Sequence, residues 1–231
     1  MYVPRHFELT EAHWRPLLAG AEAAQVVAAY QTGPEATLLP VSYEPGPDGG
    51  LGSLLLHVTR TNDLWRKAPL GEVLAIVSGP DAYVSPEWYP GFDVAPDVPT
   101  WNYVTVHAYG ELVVHDDRAW VLDAVRRVSA DHGFDLDVVD DGDVDLMLRA
   151  IVGLELRLTR VVAKAKLHQN KSTEFIGSVI AGLRGRGEGE DDGVADAMTV
   201  VSLPHARARE ELVAGIRAEH QLGLARPVPR D

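Results

Sequence analysis

The sequence predicts a mainly β protein with peripheral helices, an α+β fold organised as an antiparallel sheet or barrel. Three observations carry that prediction. Apolar runs of strand length follow one another through the first half of the chain. Turn-grade residues separate them, most plainly Pro45-Gly46-Pro47-Asp48-Gly49-Gly50. The strands recur at hairpin spacing, which suits antiparallel pairing better than βαβ units.

The elements follow in order. Thr10 and Glu11 open a short capped helix that Pro16 should limit or bend. Strands are expected over 24–31, 36–43, 52–60 and 72–78. The longest strand candidate runs from Trp101 to His115, with a break or bulge at Gly110. Residues 79–99 hold five prolines together with Tyr83, Trp88, Tyr89 and Phe92, so they read as a packed, aromatic loop. Arg118 to Asp131 carries Trp120, Val121, Val125 and Val128 near helical spacing. The six Asp of 135–145 read as a solvated loop, because neither the ligand spacing nor the closing Glu of a calcium loop is present. Val152, Leu154, Leu156 and Leu158 alternate with other residues, as in a half-buried strand. A helix opens at Ser172 and runs to about Leu183. A Gly-rich, then acidic, linker follows, and a last helix covers about 204–220. This divides the chain into a main domain over 1–187 and an appendage over 188–231, a linker and helix packing on that domain or on a dimer mate.

Composition excludes several functions. The 231 residues carry 34 acidic and 21 basic side chains, for a formal charge of −13. That balance argues against direct DNA binding and against an anionic membrane, since both need a basic face. Cys is absent, which removes disulfides, thiolate metal sites and a Cys nucleophile. No apolar run approaches the ~20 residues of a membrane span, and the first residues lack the order of a signal peptide, so a cytoplasmic protein is expected. No Walker motif, nucleophile-elbow Ser or His-Glu-x-x-His site is present, and the nine His lack ligand spacing. Gly185-Arg-Gly187-Glu-Gly189 follows no strand and carries acids that repel phosphate, so it reads as linker.

Two strands and one basic segment are informative. In the first strand, Leu54, Leu56 and Val58 share one face, while Leu55, His57 and Thr59 share the other; Arg60 and Asn62 enter the turn beyond. In the second, Val104, Val106 and Ala108 form an aliphatic face, and Trp101, Tyr103, Thr105, His107 and Tyr109 form an aromatic-polar one. Such a face walls a pocket for a flat, hydrogen-bonding ligand, or it meets a partner. The basic residues comprise 17 Arg and 4 Lys, and Lys164, Lys166 and Lys171 fall within eight positions. Residues 157–186 hold seven basic side chains against the single acid Glu174. Neutral donors and a helix start lie among them, so a phosphate or nucleic-acid contact is the functional reading and a solvated basic turn the bland one.

Five segments resemble the PaiB-type FMN-binding negative transcriptional regulators. They are Met1-Tyr-Val-Pro-Arg-His-Phe7, His57-Val-Thr-Arg-Thr-Asn-Asp-Leu-Trp65, Gly79-Pro-Asp-Ala-Tyr-Val-Ser-Pro-Glu-Trp-Tyr89, Val98-Pro-Thr-Trp-Asn-Tyr103 and Lys166-Leu-His-Gln-Asn170. Thr59, Asp63, His168 and Lys171 depart from the family's usual Ala, Pro, Ser and Arg. The resemblance implies a flavin-binding split β-barrel of antiparallel Greek-key type. It also implies a homodimer with FMN near the subunit interface, and repression of sporulation and protease-synthesis genes in some bacteria. On this reading Arg60, Lys166 and Lys171 are candidates for the phosphate, and Thr59, Asn62, Gln169 and Asn170 for neutral donors. Trp101 and Tyr103 would wall the ring, and His57 and His107 would reach its polar edge. With DNA contact disfavoured, regulation would run through a partner, or through the one basic segment. Two alternatives share the fold class: a flavin-dependent NAD(P)H oxidoreductase, and a haem protein with His57 or His107 as axial ligand.

Overall fold

A computed structural model of the chain describes residues 1–95 and 97–221. The elements in order are α1 (Glu11–Ala19), β1 (Ala23–Tyr30), β2 (Gly33–Pro40), β3 (Ser42–Glu44), β4 (Ser53–Thr59), β5 (Val73–Val84) and β6 (Thr100–His115). They continue with α2 (Arg118–Asp131), α3 (Asp141–Arg149), β7 (Ile151–Lys166), α4 (Thr173–Arg186), α5 (Asp191–Ala197), a π-helical turn (Met198–Ser202) and α6 (Leu203–Gln221). The strands form one antiparallel sheet in the order β2-β1-β5-β6-β7-β4-β3. The chain divides into two compact units. The first comprises 1–3, 8–79 and 105–164; the second comprises 4–7, 80–104 and 165 onward.

In the first unit, β2 and β3 lie at opposite edges of the sheet order, yet Val41 alone separates them. The chain therefore steps from one edge to the other across a single residue, and β2 also approaches β4. This is the split barrel that the family resemblance implies. The stretch 36–43 is thus two strands rather than one, because fully buried Val41 turns the corner and its N–H donates to the Glu22 carbonyl at 3.2 Å. Alternation holds elsewhere: Leu54, Leu56, Leu154 and Leu156 are fully buried and form the inner face of β4 and β7. The turn at 47–50 is fastened by Arg15, which donates to the Gly49 and Gly50 carbonyls at 2.9 Å each.

Three expectations in this unit need correction. β6 is unbroken at Gly110. Glycine is required there because a Cβ would collide with the Arg157 carbonyl of β7. The acidic run is not all loop, since α3 begins at Asp141. Asp140 caps it by accepting from the Gly142 N–H at 2.9 Å, Asp141 and Asp143 complement the helix dipole, and Val144 and Leu148 are buried one turn apart. β5 reaches Val84, so the aromatic loop is shorter than 79–99.

The second unit differs most from expectation after Gly187. Its left-handed conformation (φ 63°) ends α4 as a C-terminal glycine should. The segment beyond it is no linker. Asp191, 1% exposed, pairs with Arg186 (Nε to Oδ2 2.7 Å) and accepts from the Glu188 N–H at 3.0 Å. Val194, Ala195 and Met198 are fully buried, so the segment packs as helix and turn. On α4, Gly182 leaves room for the Trp88 indole, and the Ser178 hydroxyl donates to the Trp88 carbonyl at 2.6 Å.

Candidate functional site

β7 ends at Lys166 in the second unit, and a tight turn over 167–171 carries the chain into α4. Lys171 N–H donates to the His168 carbonyl at 2.9 Å. His168 adopts a left-handed conformation (φ 65°), which His tolerates better than most residues with a side chain. Gln169 is buried and braces the turn: its Oε1 accepts from Leu167 N–H at 2.9 Å and its Nε2 donates to the Ala165 carbonyl at 2.6 Å.

This turn walls a cavity of about 220 Å³. Lys166, Asn170 and Lys171 supply its polar side together with the carboxylate of Asp97, and Phe7, Tyr89 and Phe175 its aromatic side. The Tyr89 and Phe175 rings lie 4.6 Å apart, and His168 packs edge-on to Tyr89 at 6.0 Å. Lys166 Nζ donates to the Thr100 hydroxyl and to the Trp101 carbonyl, the latter at 2.9 Å. Lys171 lies 4.8 Å from the Phe175 ring centre and 3.9 Å from Asp97.

Two buried polar atoms of the cavity wall lack a partner: Asn102 Oδ1, on a fully buried residue, and His168 Nδ1. Buried groups of this kind are normally satisfied by protein, ordered water or a ligand, and here they face a cavity that could hold one. Burial, with Lys166 and Lys171 close by, pushes His168 down to about 4, so the imidazole is neutral at pH 7 and Asp97 only partly offsets this.

The other predicted residues lie elsewhere. Arg60 lines a separate cavity of about 150 Å³ in the first unit, with Asp116, Arg118, Asp145 and Arg149. There it forks onto Asp116 with both terminal nitrogens and donates to the Arg149 carbonyl at 2.7 Å. Arg118 is likewise bound to Asp145. Asn62 accepts from Leu64 N–H at 2.8 Å and caps a short turn, and exposed Thr59 bonds Thr61 at 3.0 Å. His57 and His107 are half-buried, each with an unpartnered Nδ1, and burial lowers the pKa of both. Trp101 is 50% exposed and donates to Asp81 at 2.7 Å, and Tyr103 is half-buried on β6.

Two readings of the basic segment change. The block of positive charge is dispersed: Arg157, Arg160, Arg184 and Arg186 meet Glu155, Glu72, Asp196 and Asp191, and Lys164 donates to the Tyr2 carbonyl at 3.3 Å. The start of α4 is not an open anion site either. Ser172 Oγ accepts from the Phe175 N–H, and the Glu210 carboxylate accepts from the Thr173 N–H at 2.8 Å and hydroxyl at 2.9 Å. Sequence reasoning missed Tyr89, Asp97, Asn102, His168 and Phe175. The aromatic loop and the Val98–Tyr103 motif were the signals nearest to them.

Comparison with known proteins assigns the family. Residues 1–160 match the family described as "Putative FMN-binding domain". "Protease synthase and sporulation protein PAI 2" of Bacillus subtilis is 30% identical over 192 residues, covering 80% of this chain and 89% of that protein. Among solved structures, a "putative 5-nitroimidazole antibiotic resistance protein" of Bacteroides thetaiotaomicron superposes with a TM-score of 0.51 at 13% identity, over 68% of this chain and 84% of that one. A conserved hypothetical protein of Mycobacterium tuberculosis gives 0.51 at 13% identity, over 72% and 91%. At that identity these two likenesses concern the fold. The family match spans most of the sequence and the Bacillus relative nearly its full length, so the chain belongs to the PaiB-type family of FMN-binding domains, and FMN is the cofactor that membership assigns to it.

Proposed function

We propose that the chain is an FMN-binding regulator that acts in the cytoplasm as a homodimer, with the flavin near the subunit interface and regulation passed through a protein partner. The observation that carries this reading is the cavity of the second unit. It combines two lysines, paired aromatic rings and two unpartnered buried polar atoms in a chain of an FMN-binding family.

The donor set fits the cofactor. Lys166, Lys171 and the Asn170 amide would hold the phosphate. Tyr89 and Phe175 would pack against the flat ring, and Asn102 Oδ1 and neutral His168 would meet polar atoms of the ligand. Bound there, FMN supplies one- and two-electron redox chemistry that the cysteine-free chain lacks. The cavity is below the roughly 300 Å³ at which enclosing small-molecule sites begin, so it would enclose part of FMN and leave the rest to be covered. Val98 and Trp101, 73% and 50% exposed, give this unit an uncovered apolar surface that supports a second copy as the cover. Partner-mediated regulation is supported by the charge of −13, which repels a duplex, and by the Bacillus relative, whose name ties that protein to protease synthesis and sporulation. Among the described residues no helix is long and apolar enough to cross a membrane.

The test is a fluorescence titration with FMN, together with the absorption spectrum and sedimentation of the loaded protein. Saturable binding to a dimer is expected, weakened roughly tenfold by Lys171→Met, the scale of one charge-assisted hydrogen bond. A protein that rejects millimolar FMN, or that shows a haem Soret band instead, overturns the reading. Sustained NAD(P)H oxidation would replace it with an oxidoreductase.

A further inference from the structure

The turn that carries Asn170 and Lys171 is held from one side by the last helical segment. Ser202 Oγ donates to the Leu167 carbonyl at 2.8 Å. Half-buried Arg209 of α6 donates to the Gln169 carbonyl at 3.0 Å and, with its other terminal nitrogen, to the Lys171 carbonyl. The next residue, exposed Glu210, accepts from both the N–H and the hydroxyl of Thr173, and these bonds lower its pKa. Adjacent side chains of opposite charge thus grip the two ends of one backbone stretch, the cation on carbonyls and the anion on an N–H. A turn has no ladder of its own to fix its carbonyls, so such bonds restrict where its side chains point. Lys171 is itself held at its carbonyl and lies between the other two gripped residues, Gln169 and Thr173.

We propose that Arg209 and Glu210 are positioning residues that set the cavity's preference for a phosphorylated ligand. They touch no ligand themselves. They hold the Lys171 backbone so that its ammonium group and the Asn170 amide stay at the cavity, and they make α6 a determinant of cofactor retention. This rests on the FMN reading above.

The experiment compares FMN with riboflavin, which has the same ring and ribityl chain and lacks the phosphate. Binding of both is measured in the full chain and in Arg209→Gln and Glu210→Gln. Each variant should lose FMN affinity about five- to tenfold and keep riboflavin affinity within about twofold, moving the ratio toward that of Lys171→Met. General loosening of the unit would weaken both ligands alike, and that result, or an unchanged ratio, overturns the proposal. Should Arg209→Gln fail to fold, exposed Glu210→Gln carries the test. If the unmodified protein binds neither ligand, the FMN reading fails by itself. The clamp is then read by amide hydrogen exchange in the ligand-free chain: faster exchange at Thr173 in the Glu210 variant is expected, and unchanged exchange overturns the clamp.

Discussion

Two cavities, one in each unit, both bring basic side chains together and differ in how their polar groups are used. In the first unit, Arg60 and Arg118 sit with Asp116 and Asp145, and both guanidinium groups are bound to carboxylates. Among the described residues, no unpartnered buried side-chain atom lines that cavity. In the second unit, Lys171 pairs with Asp97 at the longer distance of 3.9 Å, Lys166 donates to the Thr100 hydroxyl and the Trp101 carbonyl among its contacts, and Asn102 and His168 bring unpartnered buried atoms to the wall beside aromatic rings. Counting cations therefore does not locate an anion site. Unused buried hydrogen-bonding capacity at a cavity wall is the sharper pointer, since Tyr30, His57 and His107 of the first unit also carry unpartnered buried atoms but do not line its Arg60 cavity.

Three measurements break or sharpen this comparison. The largest effect concerns the ion pairs. The Asp191 side chain is 2% exposed beside Arg186, whereas Asp116 is 54% exposed beside Arg60. Asp191→Asn should lower unfolding stability by about 3 kcal/mol, because it strands a guanidinium in a buried pair. Asp116→Asn should leave the urea midpoint unchanged, as expected of a screened surface pair. Equal losses from the two substitutions would erase the distinction between the units.

An effect of similar size, confined to acidic pH, follows from His168. Its pKa in the folded protein is about 4 against an ordinary 6.5, so between those values the unfolded chain takes up a proton that the folded one refuses. Stability should be unaffected above pH 6.5 and fall as the pH drops toward 4, by a total on the order of 3 kcal/mol. His168→Asn, which also suits a left-handed position, should flatten that decline. The remainder would belong to His57 and His107 of the first unit, whose pKa values burial also lowers. An unchanged slope would show that His168 is not shielded. The smallest effect is expected at Arg60. Since its fork is already on Asp116, Arg60→Gln should change FMN affinity by less than about twofold, against the tenfold loss at Lys171. A larger loss at Arg60 would move the phosphate to the first unit.

Much of the fold was legible because alternation and turn residues are local signals. The inner faces of β4 and β6 follow directly from Leu54, Leu56, Val104, Val106 and Ala108. The corner at Val41 was not legible, since nothing in its neighbours distinguishes a strand from two strands sharing a residue. The helix at 141–149 was masked by its acids, which favour a loop in composition and a helix N-terminus in position. Of the residues that line the second unit's cavity, Lys166, Asn170 and Lys171 are the ones that charge and motif single out. Asn102 and His168 stand out only through buried atoms that lack a partner in the folded chain, and a missing partner leaves no mark on a sequence. The Arg60 ion pair was hidden for the converse reason, because Asp116 lies far away in sequence and close in space.

The single-residue step at Val41 also bears on how the protein avoids its own kind. A free sheet edge invites a strand from another chain, the first event in many aggregates. Here each edge strand leads directly into the other, so neither can peel away to recruit a neighbour without dragging the seam open. The same seam fixes register. One residue inserted at position 41 would shift an edge by one step and turn its inward side chains outward, so this part of the chain should tolerate substitution far better than any change in length.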